Sequence, residues 1–205
     1  MIHYVKQIPI EQNFSSVSKE IVIGAGCFWG VERKFWDLPG VLMTSVGYSG
    51  GDTDNPTYED VCYKNTNHAE VVKIIFNENE IGLEDILKVF WECHDPTQGM
   101  RQGNDIGTQY RSVIYASDDY DLDIAKKTKD IYQKELVKSG FKSNEVASIT
   151  TEIKLIDNYF LAEEYHQQYL AKNPNGYCGI GGTGCSFPNE YFVYNTNLCH
   201  LSSVG

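Results

Sequence analysis

SKEIVIGAGCFWGVERKFWDLPG, residues 18–40, carries the transition on which the fold turns. Its first part, SKEIVIGAG at 18–26, is rich in β-branched residues and closes on glycines, which predicts a strand. Phe28, Val31, Phe35 and Leu38 then recur at helical spacing until Pro39-Gly40 stops them. A strand therefore hands directly to a helix, with Cys27 at the junction.

Working outward, VLMTSVGYSGG (41–51) reads as a second strand and HAEVVKIIFNE (68–78) as a third. LEDILKVFWECH (83–94) has the period of a helix closed by Asp95-Pro96. TQYRSVIYAS (108–117) gives a fourth strand, and a long amphipathic helix follows over 118–139 with Gly140 as its stop. ITTEIKLIDN (149–158) is a fifth strand and LAEEYHQQYL (161–170) a short helix. The central order β-α-β-β-α-β is that of an α+β, ferredoxin-like split βαβ sandwich of two layers. A long glycine-rich C-terminal coil follows, since NPNGYCGIGGTGCSFPNE is dense in turn residues. The expectation is one domain over 1–205, made of an N-terminal extension (1–18), a catalytic core (19–171) and a mobile C-terminal segment (172–205).

Composition narrows the function classes. With 41% hydrophobic and 22% charged residues the 205-residue chain resembles a soluble globular protein, and its length supplies one good core. A net charge of -11 argues against nucleic acid or an anionic membrane as partner. No apolar run approaches bilayer length, and MIHYVKQIPIEQNFSS lacks the pattern of a signal peptide, so a cytoplasmic location is expected. The six cysteines, at 27, 62, 93, 178, 185 and 199, lack the dense spacing of a disulfide scaffold. The five histidines show no zinc-type spacing, and GAGCFWG departs from a dinucleotide-binding glycine motif; no metal or cofactor is expected.

Cys27 is the candidate nucleophile. A thiol at a helix N-terminus meets unpaired N–H groups and the positive end of the helix dipole, both of which favour thiolate. Gly24 and Gly26 leave its approach clear; the competing reading is a small buried hydrophobe. Phe28 and Trp29 occupy consecutive helical positions, so they face different directions. At least one of them therefore points away from the core, where it would form a platform for a small apolar group beside the thiol. Glu70 shares a strand face with Val72, Ile74 and Phe76. Turned inward it would be desolvated and partly protonated near neutrality, able to donate a proton; turned outward it is an ordinary strand-end carboxylate. Tyrosines in NPTYEDVC and GNDIGTQYR, Tyr58 and Tyr110, lie in or beside polar loops. Cys178 and Cys185 are joined by GIGGTG, flexible enough for a thiol relay and poorly suited to core packing. Cys62 and Cys93 read as structural. A thiol peroxidase would share the reactive cysteine and its resolving partner, and a metal-binding module would need Cys178, Cys185, Cys199 and His200 to converge.

GCFWGVE, GYSGG, NPTYEDVC, HAEVV, FWECHDPTQGMRQGNDIGTQYRS, HQQYL and KNPNGYCGIGG together resemble the class A peptide methionine sulfoxide reductases over residues 21–183. The resemblance implies reduction of the S epimer of methionine sulfoxide, free or in oxidised proteins, with thioredoxin as reductant and a monomeric enzyme. It makes Cys27 the nucleophile, Phe28 and Trp29 the methyl pocket, and Glu70 the proton donor assisted by Tyr58 and Tyr110. Asp105 and His166 border the site as substrate-binding residues. Cys178 becomes the thiol that resolves a Cys27 sulfenic acid. Members with a second recycling cysteine often place it eight or nine residues beyond the GYCG cysteine, whereas Cys185 stands seven beyond and Phe187 nine. Cys185 from a shifted position, Cys199, or direct reduction of the Cys27–Cys178 bond all remain open.

Overall fold

Ser18–Ala25 forms β1, and its alternation sends Ile21, Ile23 and Ala25 to one face and Val22 to the other. The computed structural model describes residues 1–141 and 148–188. β1 is flanked on both sides by antiparallel partners, β3 (Ala69–Asn77, Ile21 opposite Ile74) and β6 (Ser112–Ala116, Ile21 opposite Ala116). β2 (Val41–Ser49) pairs antiparallel with β3, placing Tyr48 opposite Glu70. β7 (Glu152–Leu155) joins β6 in parallel and β8 (Phe160–Leu161) joins β2 antiparallel, so the six-stranded sheet runs β7-β6-β1-β3-β2-β8. β4 (Arg101–Gln102) and β5 (Asp105–Ile106) make a separate small hairpin that the sequence reading did not find.

The helices α1 (Phe28–Arg33), α3 (Leu83–Cys93) and α4 (Asp119–Lys138) share one core cluster with Ile23, Val72 and Ile114 of the sheet. This is a mixed α+β fold whose main core lies between the sheet and these helices. α4 ends as its sequence predicts: Gly140 takes φ +70°, and the Phe141 N–H reaches the Leu136 carbonyl at 3.2 Å. α2 (Tyr58–Tyr63) was not foreseen, although Thr57 caps it, accepting from the Asp60 N–H while Asp60 accepts from the Thr57 N–H. The expected strand over 108–117 starts only at Ser112, because Thr108–Tyr110 closes a 3-10 turn.

The helix expected over 161–170 is largely absent; α5 covers only Tyr169–Lys172. Tertiary competition explains the difference. The Ala162 N–H continues sheet pairing to the Val46 carbonyl at 3.0 Å. The Gln167 side chain then docks on β2, accepting from the Val46 N–H at 2.9 Å and donating to its carbonyl at 2.8 Å. Gln168 breaks any helical continuation by adopting the left-handed conformation, φ 48°.

Candidate active site

Cys27 is the N-cap of α1, half-buried where β1 ends. The two glycines before it serve the protein's own packing. A Cβ on Gly24 would lie 2.8 Å from the Glu70 carbonyl oxygen and from Val113 Cγ2. Gly26, at φ +99°, would drive a Cβ to 2.8 Å from the Gln102 side chain. They let β3, β6 and the Gln102 side chain pack directly on the backbone that precedes the thiol. Gln102 is itself pinned by paired hydrogen bonds with the Asp95 backbone, at 3.1 and 2.9 Å.

The pull of the helix-terminal N–H groups toward thiolate is present at Cys27 but outweighed. Burial and then the charge of Glu70 push the thiol well above its ordinary range, with Asp105 adding to them. The N–H groups of Trp29 and Gly30 act in the opposite sense but do not win. A six-residue helix has little dipole to set against desolvation beside acidic groups.

Glu70 lies on the inward face of β3, 2% exposed, and one carboxyl oxygen accepts the Phe28 N–H at 3.0 Å. Burial, reinforced by Asp105, raises its pKa from 4.5 to about 8, against the pull of the Phe28 N–H. The carboxyl is therefore mainly neutral at pH 7, next to the thiol it would serve.

Phe28 and Trp29 divide as consecutive helical residues must. Phe28 is 1% exposed and belongs to the core cluster, whereas Trp29 is half-buried at its edge. Trp29 stacks on Tyr169 with centroids 3.9 Å apart and donates its indole N–H to His166 Nδ1 at 3.0 Å. His166 is 1% exposed and also packs on Phe28 and Tyr58, with ring centroids 5.1 and 4.7 Å away. Because an indole nitrogen only donates, His166 Nδ1 must accept, which fixes the neutral Nε2–H tautomer. Burial lowers its pKa to about 4 despite Glu163. His166 thus completes an aromatic wall rather than shuttling protons.

Tyr58 begins α2, and Tyr110 sits on the 3-10 turn held by Arg111, which bonds the Thr108 carbonyl at 2.9 Å and Glu152 at 3.2 Å. Burial raises both phenols above their usual range, and each also feels the charge of Glu70. Asp105 receives the Tyr177 hydroxyl at 3.2 Å, linking β5 to the C-terminal coil. Three supports escaped the sequence reading. Glu163 accepts from the Tyr48 hydroxyl (2.9 Å) and the Tyr58 N–H (2.8 Å). His68 holds the 51–53 loop by accepting the Gly51 N–H at 3.1 Å and bonding the Thr53 carbonyl at 2.8 Å. Cys62, read as structural, is pushed up by burial, with the charges of Glu70 and Glu163 adding to it and Tyr58 acting in the opposite sense. No local periodicity marks these; His68 and Cys62 fall inside the blocks HAEVV and NPTYEDVC, whereas Glu163 lies outside every block of the resemblance.

The cysteines of the C-terminal coil lie apart in their surroundings. A Cβ on Gly30 would stand 3.2 Å from Cys178 Sγ and 3.3 Å from Ile180, so Cys178 rests on α1 one turn from Cys27. Cys185 instead packs near α4, where the Tyr132 hydroxyl donates to its carbonyl at 3.2 Å. Phe187 is 2% exposed and stacks on Tyr132, so this coil does contribute to the core. Cys27, Cys62, Cys93, Cys178 and Cys185 are all free thiols; Cys199 lies outside the described residues. Cys93 is buried and donates to the Phe90 carbonyl at 3.3 Å, as a structural cysteine would. A separate recess, lined by Met43, Ser45, Lys73 and Tyr159 among others, holds none of these groups.

The arrangement sets a thiol at a helix start beside a buried carboxyl whose pKa is raised, with phenols and an aromatic wall around them and a second thiol resting against the same helix. Comparison with known proteins agrees with that chemistry. The family profile described as peptide methionine sulfoxide reductase matches residues 19–185. A peptide methionine sulfoxide reductase MsrA of Vibrio vulnificus is 56% identical over 187 residues, 91% of this chain and 87% of that protein. The protein of that name from Pseudomonas aeruginosa is 53% identical over 186 residues, 91% and 84% of the two chains. Among solved structures, methionine sulfoxide reductase A of Corynebacterium diphtheriae superposes with a TM-score of 0.78 at 41% identity, covering 86% of this chain and 83% of that one. Reduced Mxr1 from Saccharomyces cerevisiae gives a TM-score of 0.70 at 35% identity, covering 82% and 92%.

Proposed function

Because the chain belongs to the peptide methionine sulfoxide reductase family, we propose that it reduces the S epimer of methionine sulfoxide, free or protein-bound, with Cys27 as nucleophile. The thiolate attacks the sulfoxide sulfur while Glu70 gives its proton to the oxygen, and Tyr58 and Tyr110 hydrogen-bond that oxygen. The protonated oxygen then passes from the methionine sulfur to the Cys27 sulfur as the S–S bond between them breaks, so methionine leaves and Cys27 becomes a sulfenic acid. The Cys178 thiol then attacks the Cys27 sulfur, releasing water and forming the Cys27–Cys178 disulfide. Phe28 and Trp29 receive the S-methyl group, with Asp105 and His166 at the border. Thioredoxin supplies the two electrons that restore both thiols, with Cys185 as relay and Cys199 as its rival.

The observation that carries this reading is the burial of the Glu70 carboxyl, 2% exposed and bonded to the N–H of Phe28, the residue next to Cys27, a setting that raises its pKa to about 8. A carboxylate there would repel the thiolate; a carboxylic acid supplies the proton the leaving oxygen needs. A peroxidase would need neither the aromatic wall nor that acid. Dithiothreitol-driven turnover on the separated epimers tests the reading. S-epimer reduction is expected to exceed that of the R epimer and of hydrogen peroxide by far. Equal rates on both epimers, or none on either, would sink it.

We further read the four central strands as a ferredoxin-like split βαβ unit. The order β6-β1-β3-β2 with antiparallel neighbours throughout supports it. Among the described residues no helix is long and apolar enough to cross a membrane. The proposal for the working protein is a cytoplasmic monomer.

A further inference from the structure

We propose that Glu32 is a positioning residue for the aromatic wall of the site, acting through Gln168; the proposal rests on the sulfoxide-reducing reading above. Glu32 stands one turn after Trp29 on α1, and it is fully buried. Three donors converge on its carboxyl group. Thr44 Oγ1 donates to Oε1 at 3.0 Å, Gln168 Nε2 to Oε1 at 2.7 Å, and the Gln168 N–H to Oε2 at 2.8 Å. Burial raises the Glu32 pKa to about 7, while the three donors pull toward the carboxylate; an amide in its place would turn an N–H toward another donor.

What this clamp holds is the residue least able to hold itself. Gln168 is left-handed, φ 48° and ψ 41°, which an L side chain resists. It lies between the two residues that grip Trp29, His166 at the indole N–H and Tyr169 on the ring face. A helical Gln168 would swing Tyr169 away from the indole, so the left-handed turn and the wall stand together. The clamp is braced from the N-terminal segment. The Tyr4 N–H donates to Gln168 Oε1 at 2.9 Å, which fixes that amide's orientation. His3 Nδ1 accepts from the Val5 and Lys6 N–H groups, leaving Nε2–H to donate to Thr44 at 3.0 Å. Thr44 is thereby left with its own proton for Glu32. Residues 3–6, remote in sequence from the thiol, thus determine how firmly the wall is set.

The test is single turnover of fully reduced enzyme across a range of S-epimer methionine sulfoxide concentrations, following methionine formed. For Glu32→Gln, half-saturation should rise about 10-fold or more while the saturating rate stays within about threefold, since Cys27 and Glu70 are untouched. Glycine adopts the left-handed region freely. The double variant Glu32→Gln/Gln168→Gly should therefore recover half-saturation to within about threefold of wild type. A purely structural role would lower the melting temperature without that split or that rescue. A half-saturation unmoved in a folded Glu32→Gln, a saturating rate that falls as far as half-saturation rises, or no rescue by glycine each overturns the inference. If Glu32→Gln does not fold, the decision passes to Gln168→Ala. That variant keeps the backbone contact but loses the amide, and its half-saturation must rise at least threefold. An inactive wild-type enzyme refutes the proposed function and this inference together; an active one with unmoved half-saturation refutes this inference alone.

Discussion

Replacing Glu70 by glutamine keeps the shape of the side chain and an acceptor for the Phe28 N–H, but it removes the transferable proton. With a pKa of about 8, roughly nine-tenths of wild-type Glu70 is protonated at pH 7 and about one-tenth at pH 9. The Cys27 thiol titrates far above that range. Below pH 8 the reactive pair, thiolate plus neutral acid, becomes about tenfold more abundant per pH unit as thiolate appears. Above pH 8 each further unit that yields ten times more thiolate removes ten times as much proton donor, so the rate levels. The Glu70→Gln variant should lose about 10²–10³ in single-turnover rate at pH 7, and its profile should climb through pH 8 without levelling.

Stability supplies an independent sign. Glu70 is raised in the folded state, so between its unfolded value of 4.5 and about 8 the native protein holds a proton that the unfolded chain has released. Its contribution is complete below 4.5, declines by up to about 1.4 kcal/mol per pH unit, and is spent above 8. The ceiling on that loss is about 5 kcal/mol for the shift from 4.5 to about 8. Urea unfolding should accordingly show a shallower pH slope for Glu70→Gln, which becomes more stable than wild type at pH 8.5. A wild-type rate that keeps rising past pH 9, a variant that levels at the same pH as wild type, or identical stability slopes would refute the reasoning.

Gly30→Ala places a methyl 3.2 Å from Cys178 Sγ; methionine release should be unchanged while loss of the second free thiol, timed by alkylation, slows about 10-fold. Cys178→Ser should form one equivalent of methionine and accumulate a sulfenic acid that a dimedone-type probe traps. Cys185→Ser should keep dithiothreitol-driven turnover but slow with thioredoxin, and if Cys199→Ser does so instead the relay order is reversed. Gly26→Ala imposes a left-handed alanine at φ +99° and a 2.8 Å contact with Gln102, so urea denaturation should report a loss of about 2–4 kcal/mol.

Legibility followed the range of the forces involved. β1, β2, β3, α3 and α4 were readable because apolar period and end signals are local, and Gly140 stops α4 where its sequence says. Strand alternation placed Glu70 on one face with Val72 and Ile74 but left open whether that end of the face was covered; the packed structure buries it. The helix over 161–170 failed for the opposite reason. Gln167 has a better use on the backbone of β2 than in a helix, and no local window contains β2.

The same division runs through the site. The sequence by itself determined which residues are chemically competent: a thiol at a strand-to-helix junction, an acid on an apolar strand face, aromatics beside the thiol, and cysteines in a glycine-rich coil. These follow from residue type and short-range periodicity. Only the tertiary structure decided their state. Burial beside Glu70 and Asp105 turns the thiol's helix-terminal advantage into a raised pKa. Gly24 and Gly26, which looked like an open approach, prove to be seats for β3, β6 and Gln102. The carboxyl group of Glu32, unremarkable in the chain, meets donors from residues 44 and 168. Desolvation and hydrogen-bond partnership depend on segments far apart in sequence, so they exist only once the chain has closed on itself.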